Sequence, residues 1–227
     1  MQLSFLGDSI IKGVAYTATT IHPYTQLKRP FSSIYSEHTS SLEHNYGRFG
    51  GTISIGEQIV DRHIEDISRS DFTFMAFGTN DCDYMWDEIA ADPEGTHEPK
   101  TILDKFTDIY CNIINKVKQS GSIPVLLSLT PIDPDHYFRF VTSGLSLQER
   151  NNVWDWIGGN TYPIGLWHEM YNLRVCEIAK QTGVRHVDIS TPLIQERRYQ
   201  QYLCSDGIHL NPLGHERVAS LLYDTNI

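Results

Sequence analysis

The sequence predicts an α/β fold, a three-layer α/β/α sandwich with a five-stranded parallel sheet. Three observations lead there. Short apolar runs suited to buried strands recur along the chain, segments with helical periodicity separate them, and the connections are too long for hairpins. Strands joined by helical crossovers run parallel, and such a sheet is covered by helices on both faces.

The first strand is expected at Leu3–Leu6, ending in Gly7-Asp8-Ser9 just before a helix. A weaker second one near Leu42–Tyr46 ends in Gly47-Arg48-Phe49-Gly50-Gly51. Ile55, Ile59, Val60, Ile64 and Ile67 then step at helix spacing. The third strand, Phe72–Phe77, is the clearest and ends in Gly78-Thr79-Asn80-Asp81. Ile102, Phe106, Ile109, Ile113 and Val117 mark the next helix, and Pro124–Leu129 the fourth strand. A helix over Leu166–Gln181 leads to the fifth strand, Val184–Ile189. The last helix runs from Pro212 to Leu222, with proline at its first turn. Residues 82–100 and 131–165 match neither pattern and are rich in Trp, Tyr, Asp, His and Pro. As segments they are expected to form the rim of a pocket, while for most of their individual residues packing against neighbouring helices is the better reading. No repeat, low-complexity stretch or linker divides the chain, so residues 1–227 are expected to form a single domain.

The 227 residues are 40% hydrophobic and 20% charged, which excludes disordered and fibrous classes. Eighteen Lys and Arg against 28 Asp and Glu leave a net charge of −10. Nucleic acid and anionic bilayers are therefore not expected partners. The first residues lack a basic n-region, and no apolar run is long enough to span a membrane, so a cytoplasmic location is expected. Cys82, Cys111, Cys176 and Cys204 lie far apart without zinc-site spacing and read as reduced thiols. The sequence leaves the oligomeric state open.

In open parallel sheets ligands bind beyond the carboxyl ends of the strands. The turns carrying Ser9, Gly50 and Asn80 all fall there. A serine between strand and helix can present both Oγ and N–H to the crevice. Gly50 has no Cβ to keep backbone away, and the Asn80 amide is a donor that does not titrate. Asp206-Gly207-Ile208-His209 supplies a base and its orienting carboxylate in one turn. The carboxylate can accept from Nδ1–H, leaving Nε2 to take the serine proton.

These residues resemble the SGNH (GDSL) hydrolases over nearly the whole chain. Gly7-Asp8-Ser9 looks like that family's first block, Asn45 through Thr52 like its second, Gly78-Thr79-Asn80-Asp81 like its third, and Asp206 through Asn211 like its fifth. The stretch from Asn80 to Trp86 also resembles a bacterial subgroup without an assigned substrate. The resemblance implies the flavodoxin-like sandwich, a Ser9, His209 and Asp206 triad, and an oxyanion hole of Ser9 N–H, Gly50 N–H and the Asn80 amide. It implies no cofactor and no metal.

Asp8 is expected to brace the serine turn through backbone hydrogen bonds and is also a candidate for substrate contact. His215 reads as a packed histidine and Cys204 as a core residue. Asp81, Asp83, Asp87 and Glu88 fail the calcium-loop pattern, because Met85 and Trp86 stand where an oxygen ligand and a glycine belong. No GxSxG, HExxH, GxGxxG or P-loop occurs.

The expected function is a serine esterase acting on a small-molecule ester, acetyl first. Aromatic residues of the expected rim, with Asp83 among them, suit the stacking and hydrogen bonding of a saccharide. Asp83, Trp86, Tyr137, Trp154 and Trp167 are the candidate substrate contacts, with Trp156 and Tyr162 beside them. The alternatives are a lysophospholipase or acyl-thioesterase, which needs an apolar groove, and a binding module without turnover. The joint presence of Ser9, Gly50, Asn80, Asp206 and His209 argues against the last.

Overall fold

A computed structural model describes residues 1–18 and 21–225. The first half of the chain forms β1 (Gln2–Gly7), α1 (Ser9–Lys12), β2 (Val14–Tyr16), β3 (Tyr24–Gln26), α2 (Phe31–His38), β4 (Leu42–Asn45), α3 (Ile53–Ile67), β5 (Phe72–Ala76), α4 (Trp86–Ala91) and α5 (Leu103–Ser120). The second half forms β6 (Ile123–Leu127), α6 (Pro134–Val141), α7 (Leu147–Trp156), α8 (Tyr162–Thr182), β7 (Arg185–Val187), α9 (Ser190–Gln195), a 3₁₀ turn at Tyr199–Tyr202 and α10 (Pro212–Tyr223).

The main sheet is parallel with strand order β4-β1-β5-β6-β7, the expected five strands. Alternation along the strands divides the core. Leu3, Phe5, Phe74, Val125 and Leu127 pack with Phe31 and Tyr35 of α2 and Val218 and Leu222 of α10. Leu6, Met75 and Leu126 face the other way, against Ile59 of α3, Phe106 and Ile113 of α5, and Val175 of α8. Helices thus cover both faces, and the polar turns all leave from the carboxyl edge.

The fourth and fifth strands end earlier than the sequence suggests. The N–H groups of Ile189 and Ser190 donate to Ser128 Oγ, at 2.8 and 2.9 Å, instead of continuing the ladder. A two-stranded antiparallel ribbon, β2 with β3, was not foreseen, nor were α2 and α9.

The two aromatic stretches are where the expectation fails most. They contain α4, α6 and α7, and α8 begins at Tyr162 rather than Leu166. Their signals were local. Asp133 Oδ1 accepts from the N–H groups of Asp135 and His136 ahead of Pro134. Ser146 and Glu149 form a reciprocal capping box at the start of α7. The apolar side chains of these segments turn on one another, so that Trp86, Ile89, Tyr137, Phe138, Val153 and Ile164 make a third buried cluster beyond the sheet edge. Packing, not a rim, is what most of these aromatics do.

Among the described residues no helix is long and apolar enough to cross a membrane.

Candidate active site

β1 ends at Gly7, and Asp8 caps the single turn of α1 by accepting from Ile10 N–H at 2.8 Å. Ser9 is the first residue of that turn, so its own N–H has no helical acceptor. The loop after β4 lies alongside. Asn45 Nδ2 donates to Ile11 O at 2.7 Å, and Arg48 N–H to Gly7 O at 2.9 Å. Gly50, at φ +66, is exposed in this loop with open space where a side chain would be.

The turn after β5 is held by two buried carboxylates. Asn80 Nδ2 donates to Asp8 Oδ2 at 3.4 Å, while Asp81 accepts from Ile53 N–H, the start of α3, at 3.0 and 3.2 Å. Burial raises the pKa of both Asp8 and Asp81 to about 6. In Asp8 that effect outweighs the Ile10 N–H and the nearby His209 ring.

Asp206 and His209 come from the turn before α10. Asp206 Oδ1 accepts from the N–H groups of Ile208 and His209, each at 3.2 Å. Its Oδ2 lies 2.6 Å from His209 Nδ1, and His209 Nε2 lies 2.9 Å from Ser9 Oγ. All three side chains are buried, Asp206 fully. A carboxylate only accepts, so Nδ1 carries the proton and Nε2 faces the serine hydroxyl as an acceptor. The turn is closed by Cys204 N–H donating to His209 O and by a bridge between Leu203 and Leu210. It is docked on α6 through Gly207, whose φ is +77. A Cβ there would come within 2.6 Å of Asp133 O and 2.8 Å of Tyr137 N.

Two rings flank His209 that sequence reasoning missed. Phe49 lies parallel to the imidazole at 6.1 Å and Tyr24 meets it edge-on at 5.7 Å, with the two rings 4.8 Å apart. Both are more than a third exposed. Phe49 sits within the recognised second block and could have been noticed there. Tyr24 arrives on the β2–β3 ribbon, which gave no signal.

The expected substrate contacts are placed differently. Asp83 Oδ1 accepts from Tyr137 Oη at 2.7 Å and Trp86 Nε1 at 2.8 Å, and its Oδ2 from Lys100 Nζ at 2.7 Å. Trp86 and Tyr137 are buried with their polar atoms spent on Asp83. Trp167 is half-buried against Tyr84 and Trp156, at 4.8 and 5.5 Å. Asp83, Trp86, Tyr137 and Trp167 meet around a void of about 20 Å³ behind Thr79 and Ile208. Trp154 is exposed, but on a separate cleft outside this constellation. Asp8 is the helix cap, 3% exposed, rather than a surface contact. His215 is packed on Phe31, whose N–H it accepts at 3.1 Å. Among the described residues no group of three or more His, Cys, Asp or Glu is placed to hold a metal ion.

The model of the GDSL-like lipase/acylhydrolase family matches residues 5–217. No curated protein matches the chain. Among solved structures, a lipase/acylhydrolase from Enterococcus faecalis is 13% identical, with 98% of this chain and 93% of that one covered and a TM-score of 0.65. An acetyl xylan esterase is 16% identical over the whole of both chains, with a TM-score of 0.63. An acetylxylan esterase from Geobacillus stearothermophilus, a catalytic mutant, is 16% identical over 98% and 92%, with a TM-score of 0.63. At these identities the likeness establishes the fold.

Proposed function

Because the chain belongs to the GDSL-like lipase/acylhydrolase family, and is thereby a carboxylic ester hydrolase, we propose that it removes small acyl groups, acetyl first, from a saccharide. The observation that carries the mechanism is the unbroken hydrogen-bonded line from Asp206 through His209 to Ser9 Oγ.

Ser9 Oγ attacks the ester carbonyl as His209 Nε2 takes its proton, and Asp206 stabilises the imidazolium that forms. The tetrahedral oxyanion is held by Ser9 N–H, Gly50 N–H and the second N–H of the Asn80 amide, the first being directed at Asp8. As the intermediate collapses, His209 protonates the leaving alkoxide. Water then attacks the acyl-serine by the same route, returning the proton to Ser9 and releasing the acid.

The short acyl group is supported by the acetyl xylan esterases among the structures sharing this fold. The saccharide is supported by Phe49 and Tyr24, exposed ring faces beside His209, and by the acetyl xylan esterases among the structures sharing this fold.

Ser9→Ala is expected to lose p-nitrophenyl acetate hydrolysis and labelling by a fluorophosphonate. Turnover at the wild-type rate would refute the mechanism. Acetylated xylo-oligosaccharides are expected to outperform every long-chain p-nitrophenyl ester. An optimum at octanoyl or longer would instead assign a lipid or thioester substrate.

A further inference from the structure

We propose that the cleft between α6 and α7 binds the uronate of an acidic oligosaccharide. This cleft, about 440 Å³, is lined by Phe138 and Arg139 of α6 and by Arg150, Asn151 and Trp154 of α7. Its volume lies in the range of small-ligand sites. None of Ser9, Asp206, His209, Gly50 or Asn80 lines it.

Its charge is the first indication. The chain carries a net charge of −10, whereas this cleft is lined by two arginines and one acid. Arg139 and Arg150 line the same cleft, and among the described residues neither is in an ion pair. The acid of the cleft, Asp135, accepts from Thr161 Oγ1 at 2.5 Å. Two guanidiniums lining one cleft present forked donors that suit a carboxylate better than a point-charge anion.

The rings are the second indication. Arg150 stands over the Phe138 ring at 5.5 Å, which fixes the guanidinium against an apolar backing. Trp154 packs on Phe138 at 5.1 Å and keeps 37% of its surface exposed. An indole face beside a carboxylate receptor accommodates a pyranose ring, its C–H edge on the aromatic face and its carboxylate on the arginines. Asn151 adds an amide for hydroxyl groups. The choice of a sugar as the carrier of the carboxylate rests on the saccharide reading above, whereas the cleft itself is independent of the triad.

Isothermal titration of the wild-type chain with an aldobiouronic acid (glucuronate on xylose), xylobiose and benzoate tests this. The acidic disaccharide is expected to bind about tenfold or more tightly than xylobiose, and Arg139→Ala, Arg150→Ala and Trp154→Ala to weaken it by about tenfold each. Equal binding of the two disaccharides, no binding of either, or affinity unchanged in the arginine variants would overturn the site. Benzoate binding as tightly as the uronate would overturn the sugar assignment. Hydrolysis of p-nitrophenyl acetate is expected to be unchanged in all three variants. A wild type inactive on esters would refute the esterase reading while leaving the titration to decide this one.

Discussion

Asp8 holds two groups at once: one oxygen caps α1 beneath Ser9, and the other receives the amide of Asn80. The two functions separate in Asp8→Asn. Asparagine caps a helix as well as aspartate does, so stability is expected to change little. Its amide nitrogen would then face that of Asn80, donor against donor, and swing this proposed oxyanion donor away. We expect kcat to fall by about tenfold with KM nearly unchanged, measured by steady-state hydrolysis alongside thermal unfolding. Asn80→Ala, which removes the donor outright, is expected to cost on the order of 10²–10³ in kcat. If Asp8→Asn lowers the melting temperature and leaves kcat intact, Asp8 is a cap and nothing more. At this scale the sequence was legible where the chemistry is local. Asp206 and His209 lie three residues apart, and one turn suffices to join them.

At the scale of elements, the turn carrying Asp206 and His209 is fixed by its dock on α6. Asp133 N–H donates to Gly207 O at 2.8 Å, and the space beside Gly207 is filled by Asp133 O and the Tyr137 backbone. A methyl group there meets backbone at positive φ, which nothing flexible can relieve. Gly207→Ala is expected to push the turn off α6, lengthen the contact of His209 with Ser9 and reduce kcat by about 10²-fold, since small misplacements of a base cost that much. Loss of Ser9 labelling by a fluorophosphonate in a variant that still folds by circular dichroism is the measurement. The α6 and α7 helices themselves were missed, although Asp133-Pro134 and the Ser146 and Glu149 box announced their starts. Their apolar residues serve a small third cluster rather than the sheet; α6 is only eight residues long, and the periodicity that marks α3 and α5 is weak in the largely polar α7.

For the molecule as a whole, burial of ionisable groups near the sheet edge sets how stability follows pH. His168 and His215 are pushed down to about 4 by burial, so they stay neutral in the folded chain where the unfolded chain takes up protons. Their contribution is intact above pH 6.5 and is lost as pH falls toward 4. Asp8 and Asp81, raised to about 6, act in the opposite direction and return stability as pH falls from 6 toward 3.8. Between pH 7 and pH 5, denaturant unfolding of His168→Gln is expected to lose about 2 kcal/mol less than the wild type does. Parallel pH profiles would exclude a buried neutral His168.

The sequence by itself determined the sheet, its five strands and the polar turns at their ends, because short apolar runs and helical crossovers are local patterns with few compact solutions. It also marked Ser9, Gly50, Asn80, Asp206 and His209. Tertiary structure alone decided the 2.9 Å meeting of Ser9 with a histidine 200 residues away. It also put Tyr24 and Phe49 beside that histidine and turned Trp86 and Tyr137 inward. An aromatic side chain has the same composition on a rim as in a core. What separates the two is whether its polar atom finds a buried partner, and here Asp83, brought close by the fold, supplied one.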